Sequence, residues 1–74
     1  MLPENQHKID CHLGRLLADR DMTLAELAER IGLTVANLSV LKNDRAKAIR
    51  FNTLSAVCRE LHCQPGDVLT FGVQ

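Results

Sequence analysis

Two threonines that can start helices, separated by a glycine, constrain the folding of this chain more than any other feature of its sequence. Thr23 is followed by Glu26 at the spacing of a capping box. Thr34 then opens another helical pattern after Gly32 and Leu33. Glycine ends helices well because it adopts a left-handed backbone conformation without steric cost. The sequence therefore predicts two helices joined by a turn of about three or four residues, and helices joined so closely cross steeply.

Apolar residues recur at helical spacing in both segments and predict which side of each helix is buried. The predicted buried residues are Leu24, Leu27, Ala28 and Ile31 in the first helix and Leu38 and Leu41 in the second. The outward face of the second helix then consists of short side chains without an acidic residue: Val35, Ala36, Asn37, Ser39, Val40 and Lys42. A solvated face normally carries Glu and Lys, so we interpret this one as a recognition surface that approaches a flat partner closely.

The rest of the chain predicts three more helices and a pair of short strands. Helical patterns cover residues 13–20, a segment capped by Asn52 or Thr53, and a short helix with Pro65 in its first turn. Apolar and polar residues alternate near residues 9–13 and 69–73, and these two segments can pair as an antiparallel ribbon. In the basic loop before the fourth helix, Asn43 is the residue best suited to a left-handed turn.

The size and composition of the chain limit what it can do. With 74 residues, 46% of them hydrophobic, it forms at most one small globular domain. Such a domain cannot enclose a large substrate cavity, and the sequence has neither a Gly-rich phosphate loop nor a serine nucleophile motif, so we predict no enzymatic activity. No apolar run approaches the roughly 20 residues that span a bilayer, and the start of the chain lacks the pattern of a secretion signal. We therefore expect a cytoplasmic protein.

Charge is distributed unevenly along the chain. Nine basic and nine acidic residues give a net charge of zero. Residues 34–50 carry four basic residues and one acidic residue, whereas residues 1–33 carry four and six, and residues 51–74 carry one and two. A phosphate backbone responds to a local excess of charge rather than to the net charge. The basic segment directly follows the predicted recognition helix, and this position indicates contacts with a polyanion.

Cysteine and histidine residues near the two ends of the chain raise the question of a metal site: His7, Cys11, His12, Cys58, His62 and Cys63. Zinc requires four ligands, usually supplied by close pairs such as Cys-x2-Cys. Cys58 and Cys63 are five residues apart, and the pattern assigns them to different helix faces, Cys58 in the core and Cys63 buried at a helix end. We therefore predict no metal, no cofactor and reduced cysteines.

The stretch LAELAERIGLTVANLSVLKND, which contains both predicted helices, resembles the helix-turn-helix of the Cro/repressor-type (XRE) family of bacterial and phage DNA-binding domains. The resemblance extends over roughly residues 9–70 and involves seven pattern positions at once: Leu27, Ala28, Ile31, Gly32, Leu33, Leu38 and Leu41. It implies a single all-α, compact five-helix, lambda-repressor-like domain over residues 1–74, with the helix-turn-helix at about residues 23–43. It also implies a small, repressor-like transcriptional regulator that binds specific double-stranded DNA as a homodimer.

The resemblance implies a role for individual residues as well. The helix that begins at Thr34 is expected in the major groove, where Asn37 pairs with adenine, and Thr34 and Ser39 reach bases or phosphate. Val35 and Ala36 are expected to pack on thymine methyl groups. The expected phosphate contacts are Thr23, Lys42, Asn43, Arg45, Lys47 and Arg50.

Two positions depart from the family pattern. Leu24 stands where a glutamine commonly binds a phosphate, and Asp44 stands where a glycine commonly follows the recognition helix. Both departures indicate modest affinity per protomer, and a domain of this size neutralises few phosphates, so specific binding is expected to require a dimer. We predict the dimer contact at Leu69, Phe71 and Val73, together with the N-terminal strand, and the surface of the fifth helix is the alternative.

Two other functions are compatible with the sequence. The same fold can hold a partner protein, for instance as the antitoxin of a toxin–antitoxin pair, and the valine-bearing face of the third helix suits such a contact. Alternatively, the cysteine and histidine residues sense a metal or oxidation. Salt separates the first alternative from DNA binding, because DNA binding weakens steeply as salt rises whereas an apolar protein interface hardly responds.

Overall fold

Five helices lie between two short strands in the part of the chain that the computed structural model describes, residues 8–43 and 46–72. In chain order the elements are β1 (Ile9–Cys11), α1 (Leu13–Asp19), α2 (Leu24–Ile31), α3 (Val35–Lys42), α4 (Phe51–Leu61), α5 (Pro65–Val68) and β2 (Leu69–Phe71). This order confirms the predicted five-helix fold with a terminal ribbon. None of these helices is long and apolar enough to cross a membrane.

Every helix contributes one or two side chains to a single apolar core. The buried residues are Leu13, Leu17, Leu27, Ala28, Leu38, Leu41, Val57, Leu61 and Val68, and no polar or charged residue of the described ranges is buried with them. Leu24 and Ile31, which the helical pattern also assigns to the core, are only half-buried and pack against its edge. A chain this short has little apolar surface to bury, so its stability depends on all five helices together.

The junction between α2 and α3 has the local geometry that the sequence predicts. The Glu26 N–H donates to Thr23 Oγ1 over 3.1 Å, and the Thr23 N–H donates to the Glu26 carboxylate over 3.1 Å, which completes a capping box. Gly32 ends α2 at a φ of 76°. Thr34 then caps α3 by accepting a hydrogen bond from the Asn37 N–H over 3.1 Å. Both predicted helix starts and the glycine turn are confirmed.

The predicted left-handed turn at Asn43 is wrong. Its φ is −94°, because its N–H still donates to the Ser39 carbonyl over 3.0 Å and continues the hydrogen-bond pattern of α3. Its side-chain Nδ2 also donates to Ser39 Oγ over 3.1 Å. Among the described residues other than glycine, the left-handed conformation occurs instead at Asp21 and His62.

The predicted start of the fourth helix is also wrong. The sequence pattern places a cap at Asn52 or Thr53, whereas α4 already begins at Phe51, with Arg50 in an extended conformation before it. The Arg50 carbonyl accepts a hydrogen bond from the Leu54 N–H over 3.0 Å, and no side chain of the described residues caps the helix. Backbone hydrogen bonding alone therefore extends α4 toward the basic connection that follows α3.

The strands β1 and β2 pair antiparallel, as the alternating segments predict, with Ile9 opposite Phe71. Just inside the ribbon, the His12 N–H donates to the Val68 carbonyl over 2.8 Å. The ribbon thus joins the start of α1 to the end of α5 and closes the core where the two ends of the described chain meet.

Gly32→Ala is expected to lower the free energy of unfolding by about 1–2 kcal/mol, because a residue with a Cβ atom is strained in the left-handed conformation. No atom lies within 4 Å of the added Cβ, so backbone strain is the only cost. Gly66→Ala is the matched control, since its Cβ also meets no atom within 4 Å but its backbone is right-handed. Urea denaturation compares the two variants, and equal stability would contradict the left-handed turn.

Candidate nucleic-acid interface

The helix α3 has a buried side and an exposed side, in the orientation that the sequence predicts. Leu38 and Leu41 point into the core and are 1% and 7% exposed. The residues of the opposite side are exposed, with Val35 at 46% and Val40 at 43%. The exposed members of the predicted recognition surface are Val35, Ala36, Asn37, Val40 and Lys42.

Asn37 lies in the first turn of this exposed side. Its backbone N–H is used by Thr34 Oγ1, whereas its side-chain amide has no hydrogen-bond partner among the described residues. The amide oxygen can accept and the amide nitrogen can donate toward a partner outside the protein. This paired donor and acceptor is the arrangement that matches the major-groove edge of adenine.

Ser39 and Asn43, both predicted to contact DNA, are hydrogen-bonded to each other. Asn43 Nδ2 donates to Ser39 Oγ over 3.1 Å, and the serine is only half-exposed. The serine hydroxyl keeps its own proton for donation, but one of the two amide N–H groups of the asparagine is occupied. Their contacts with DNA stay predictions, and both residues offer fewer hydrogen bonds than Asn37.

The first turns of α2 and α3 differ in charge. At α2 the Glu26 carboxylate accepts hydrogen bonds from the Thr23 N–H over 3.1 Å and from its hydroxyl over 3.2 Å. At α3 the first turn contains no acidic residue, and the capping residue Thr34 is exposed. Helix N-termini attract anions. A phosphate near Thr23 must therefore displace or share donors with a bound carboxylate, whereas the start of α3 is open to an anion.

Basic side chains follow the exposed side of α3. The stem of Lys42 crosses α1, since a Cβ atom on Gly14 would lie 3.1 Å from Lys42 Cε. Lys47 and Arg50 are exposed in the connection between α3 and α4. Four residues named by the sequence analysis lie outside the described ranges: His7, Asp44, Arg45 and Val73.

A cleft of about 430 Å³ joins the exposed side of α3 to this basic connection, and its lining includes Asn37, Val40, Lys47, Arg50 and Thr53. The structure thus brings the unoccupied amide of Asn37 and two predicted phosphate contacts to one surface. Thr53 is a member of this surface that the sequence analysis missed. The early start of α4 places it there, and the sequence carries no signal for that role because threonine is itself a favourable helix cap.

The apolar residues predicted to form a dimer contact differ in exposure. Leu69 is half-buried against the core, whereas Phe71 is 66% exposed. Its cross-strand neighbour Ile9 is 42% exposed, so the outer end of the ribbon carries an apolar pair. This pair borders a groove of about 380 Å³, which is also lined by Leu41 of α3 and by Ile49 of the connection between α3 and α4.

The assignment of Cys58 and Cys63 to different helix faces is wrong. His62 has a left-handed backbone with a φ of 53°, and this turn lets the Cys63 N–H donate to the Cys58 carbonyl over 3.0 Å. Both residues are half-buried thiols, so neither belongs to the buried core. Within residues 8–43 and 46–72, no three His, Cys, Asp or Glu side chains are grouped to hold a metal ion.

Most of the chain matches a family of DNA-binding domains and a protein named as a transcriptional regulator. Residues 12–72 match the Cro/C1-type HTH DNA-binding domain, and this match runs from the start of α1 to the end of β2. YozG of Bacillus subtilis strain 168, named as an uncharacterized HTH-type transcriptional regulator, is 59% identical over 56 residues. These residues cover 76% of this chain and 67% of YozG.

Two neighbouring residues of α3 are expected to differ in their effect on stability. Leu38→Ala removes a buried side chain and is expected to lower the free energy of unfolding by about 2–5 kcal/mol. Asn37→Ala removes an exposed side chain and is expected to change that free energy by less than about 0.5 kcal/mol. Chemical denaturation followed by circular dichroism measures both. A large loss in Asn37→Ala would give this residue a structural role and remove it from the candidate interface.

Proposed function

Because the chain belongs to the Cro/C1-type helix-turn-helix family of DNA-binding domains, we propose that it binds a specific double-stranded DNA site through α3 and regulates transcription in the cytoplasm. Its relative from Bacillus subtilis is named as an HTH-type transcriptional regulator. The observation that carries the proposal is the exposed, acid-free side of α3, on which the Asn37 amide is unoccupied among the described residues. Occlusion of a promoter by the bound protein is the repressor-like mechanism that follows.

In this proposal the first turns of α3 lie against base edges in the major groove. Asn37 pairs with adenine through both groups of its amide, and Val35 and Ala36 pack on thymine methyl groups. Thr34 and Ser39 add contacts with a base or a phosphate at the open start of the helix. The small size of these side chains supports the proposal, because it lets the helix approach the floor of the groove.

Phosphate contacts come from the residues beside this reading surface. Lys47 and Arg50 line the same cleft as Asn37, so a strand that follows α3 meets both cations. Thr23 contributes less, since the Glu26 carboxylate already occupies its donors. The remaining proposed phosphate contacts are Lys42, Asn43 and Arg45.

A role in holding a partner protein is the weaker alternative. The matching family is one of DNA-binding domains, and the relative is named as a transcriptional regulator. The protein has a net charge of zero, so steep salt dependence of binding would come from its local basic cluster and not from its overall charge. An interaction through the valines of α3 with another protein would show little salt dependence.

We further propose that the protein acts as a homodimer. One protomer neutralises few phosphates and reads one half-site, and a second copy doubles both. Ile9 and Phe71 support a contact between two ribbons, because adjacent exposed apolar side chains gain free energy when they cover each other. Leu69 and Val73 are proposed to extend this contact. In a symmetric dimer the two α3 helices enter successive major grooves about 34 Å apart.

Selection from random duplexes with the purified protein is expected to enrich one DNA site, arranged as a palindrome if the dimer reads two half-sites. Asn37→Ala is expected to lose about 1–3 kcal/mol of discrimination at one base pair and to keep the preferences at the others. An identical preference of parent and variant at every position, or no enriched site at all, would contradict the proposed reading role.

Arg50→Ala is expected to weaken binding to all sequences alike and to reduce the slope of log K against log salt by about 0.9, the value for one phosphate contact. Arg59→Ala is the matched control, since it removes the same charge near the other end of α4, where Arg59 pairs with Glu60 over 3.3 Å. Fluorescence anisotropy at several salt concentrations measures both slopes. Equal slopes would assign the effect to net charge and not to a contact at Arg50.

Phe71→Ser is expected to shift the protein from dimer to monomer in sedimentation equilibrium, because it removes the most exposed apolar side chain of the ribbon. Phe51→Ser is the matched control, since Phe51 is 86% exposed but lies at the start of α4 and not on the ribbon. A monomeric parent protein, or equal dissociation in both variants, would exclude the ribbon as the contact.

A further inference from the structure

The ends of α2 and α4 share one backbone geometry, and at α4 this geometry brings two cysteines together. At each end a left-handed residue turns the chain back, and the next N–H donates over 3.0 Å to the carbonyl five positions earlier. This arrangement commonly places the two side chains of the hydrogen-bonded residues in contact. At α2 the two residues are Leu33 and Ala28, and at α4 they are Cys63 and Cys58.

The Cys58 side chain lies close enough to Cys63 to affect its thiol. Burial, in the first place, and then the neighbouring Cys58 raise the pKa of the Cys63 thiol, while Arg20 lowers it. Cys63 therefore holds its proton at neutral pH and can donate it to the Cys58 sulfur.

Cys58 and Cys63 are only partly buried, although both pack against the core. Cys58 and Cys63 line an open groove along α4, whose other walls include Phe51, Leu54, Ser55 and Pro65. A small reagent can enter this groove without unfolding the protein. Cys11, the third cysteine, lies on β1 and is not part of this groove.

We propose that Cys58 and Cys63 are a redox-active thiol pair, a modification site that closes to an intramolecular disulfide when a low-molecular-weight disulfide is the oxidant. Cys58 loses its proton to solvent, attacks one sulfur of the oxidant, forms a mixed disulfide and releases one thiolate. Cys63 then loses its proton to solvent, attacks the Cys58 sulfur and releases the second thiolate. The protein loses two electrons and two protons as one S–S bond forms, and the oxidant is reduced to two thiol molecules.

The new bond is compatible with the turn that it closes. A disulfide requires two Cα atoms about 4.4–6.8 Å apart. The hydrogen bond of 3.0 Å between the Cys63 N–H and the Cys58 carbonyl keeps the two backbones adjacent. The disulfide would fix the left-handed turn at His62 covalently, and this turn leads directly into α5 and then into β2. Oxidation at this site therefore acts on the segment that ends in the ribbon.

Incubation of the full chain with glutathione disulfide, followed by mass spectrometry without reduction, tests the proposal. The parent protein is expected to lose two hydrogens, and peptide mapping is expected to find Cys58 joined to Cys63. Cys58→Ser and Cys63→Ser are each expected to stop at a mixed disulfide with glutathione on the remaining cysteine of the pair. Cys11→Ser is the matched control, because Cys11 is half-buried like the other two cysteines. It should behave as the parent, since Cys11 lies outside the groove of the pair.

Phenylarsine oxide gives a second measurement that needs no oxidant, because it bridges two neighbouring sulfurs with loss of water. It is expected to bind the parent and Cys11→Ser one to one, and to bind the two pair variants at least about tenfold more weakly, with circular dichroism confirming that each variant is folded. Mixed disulfides alone on the parent, a disulfide that includes Cys11, or equal binding of the arsenical by all variants would overturn the proposal.

Discussion

The left-handed turn at Gly32 decides which side of α3 faces outward, and the proposed interface depends on that orientation. The helix has apolar residues on both sides, with Leu38 and Leu41 inside and Val35 and Val40 outside, so its own sequence selects a buried side only weakly. The helix α2 is different, because its charged residues all lie opposite its apolar stripe. Once α2 is seated on the core and the turn fixes the angle of departure, the leucines of α3 meet the core and Asn37 is left in solvent.

Local signals explain why so much of this fold is predictable from sequence. The capping box at Thr23, the glycine turn and the cap at Thr34 each depend on residues within a few positions of one another. The left-handed turn at His62, which the sequence pattern does not predict, lies beside a long-range contact. The carbonyl of Leu61, at the end of α4, accepts a hydrogen bond from the Arg20 side chain, 41 residues away. This hydrogen bond satisfies a carbonyl in the last turn of α4, next to the left-handed His62. No local sequence pattern around residue 62 indicates this hydrogen bond. The exposed side of α3 was likewise predictable, but the bond between Ser39 and Asn43 was not, since it depends on side-chain conformation.

The charges of this protein are placed so that an anion is attracted to one surface and not to the whole molecule. With a net charge of zero, the protein does not attract a polyanion to all of its faces, and the excess of positive charge lies in residues 34–50. The two helices of the motif have opposite arrangements at their starts. Glu26 neutralises the start of α2, whereas the start of α3 has no acidic residue and keeps its attraction for an anion. A phosphate strand near this surface is therefore drawn toward α3 and the cations that follow it.

The ribbon has an inner end that packs on the core and an outer end that is apolar and exposed. Its inner pair, Cys11 and Leu69, packs against the core, whereas the outer pair of Ile9 and Phe71 extends past it and stays exposed. Burial of apolar surface contributes about 25 cal/mol per Å², and in a monomer most of the surface of Phe71 contributes nothing. A second copy can cover it. The proposed homodimer would cover this surface, and it would also double the number of phosphate contacts.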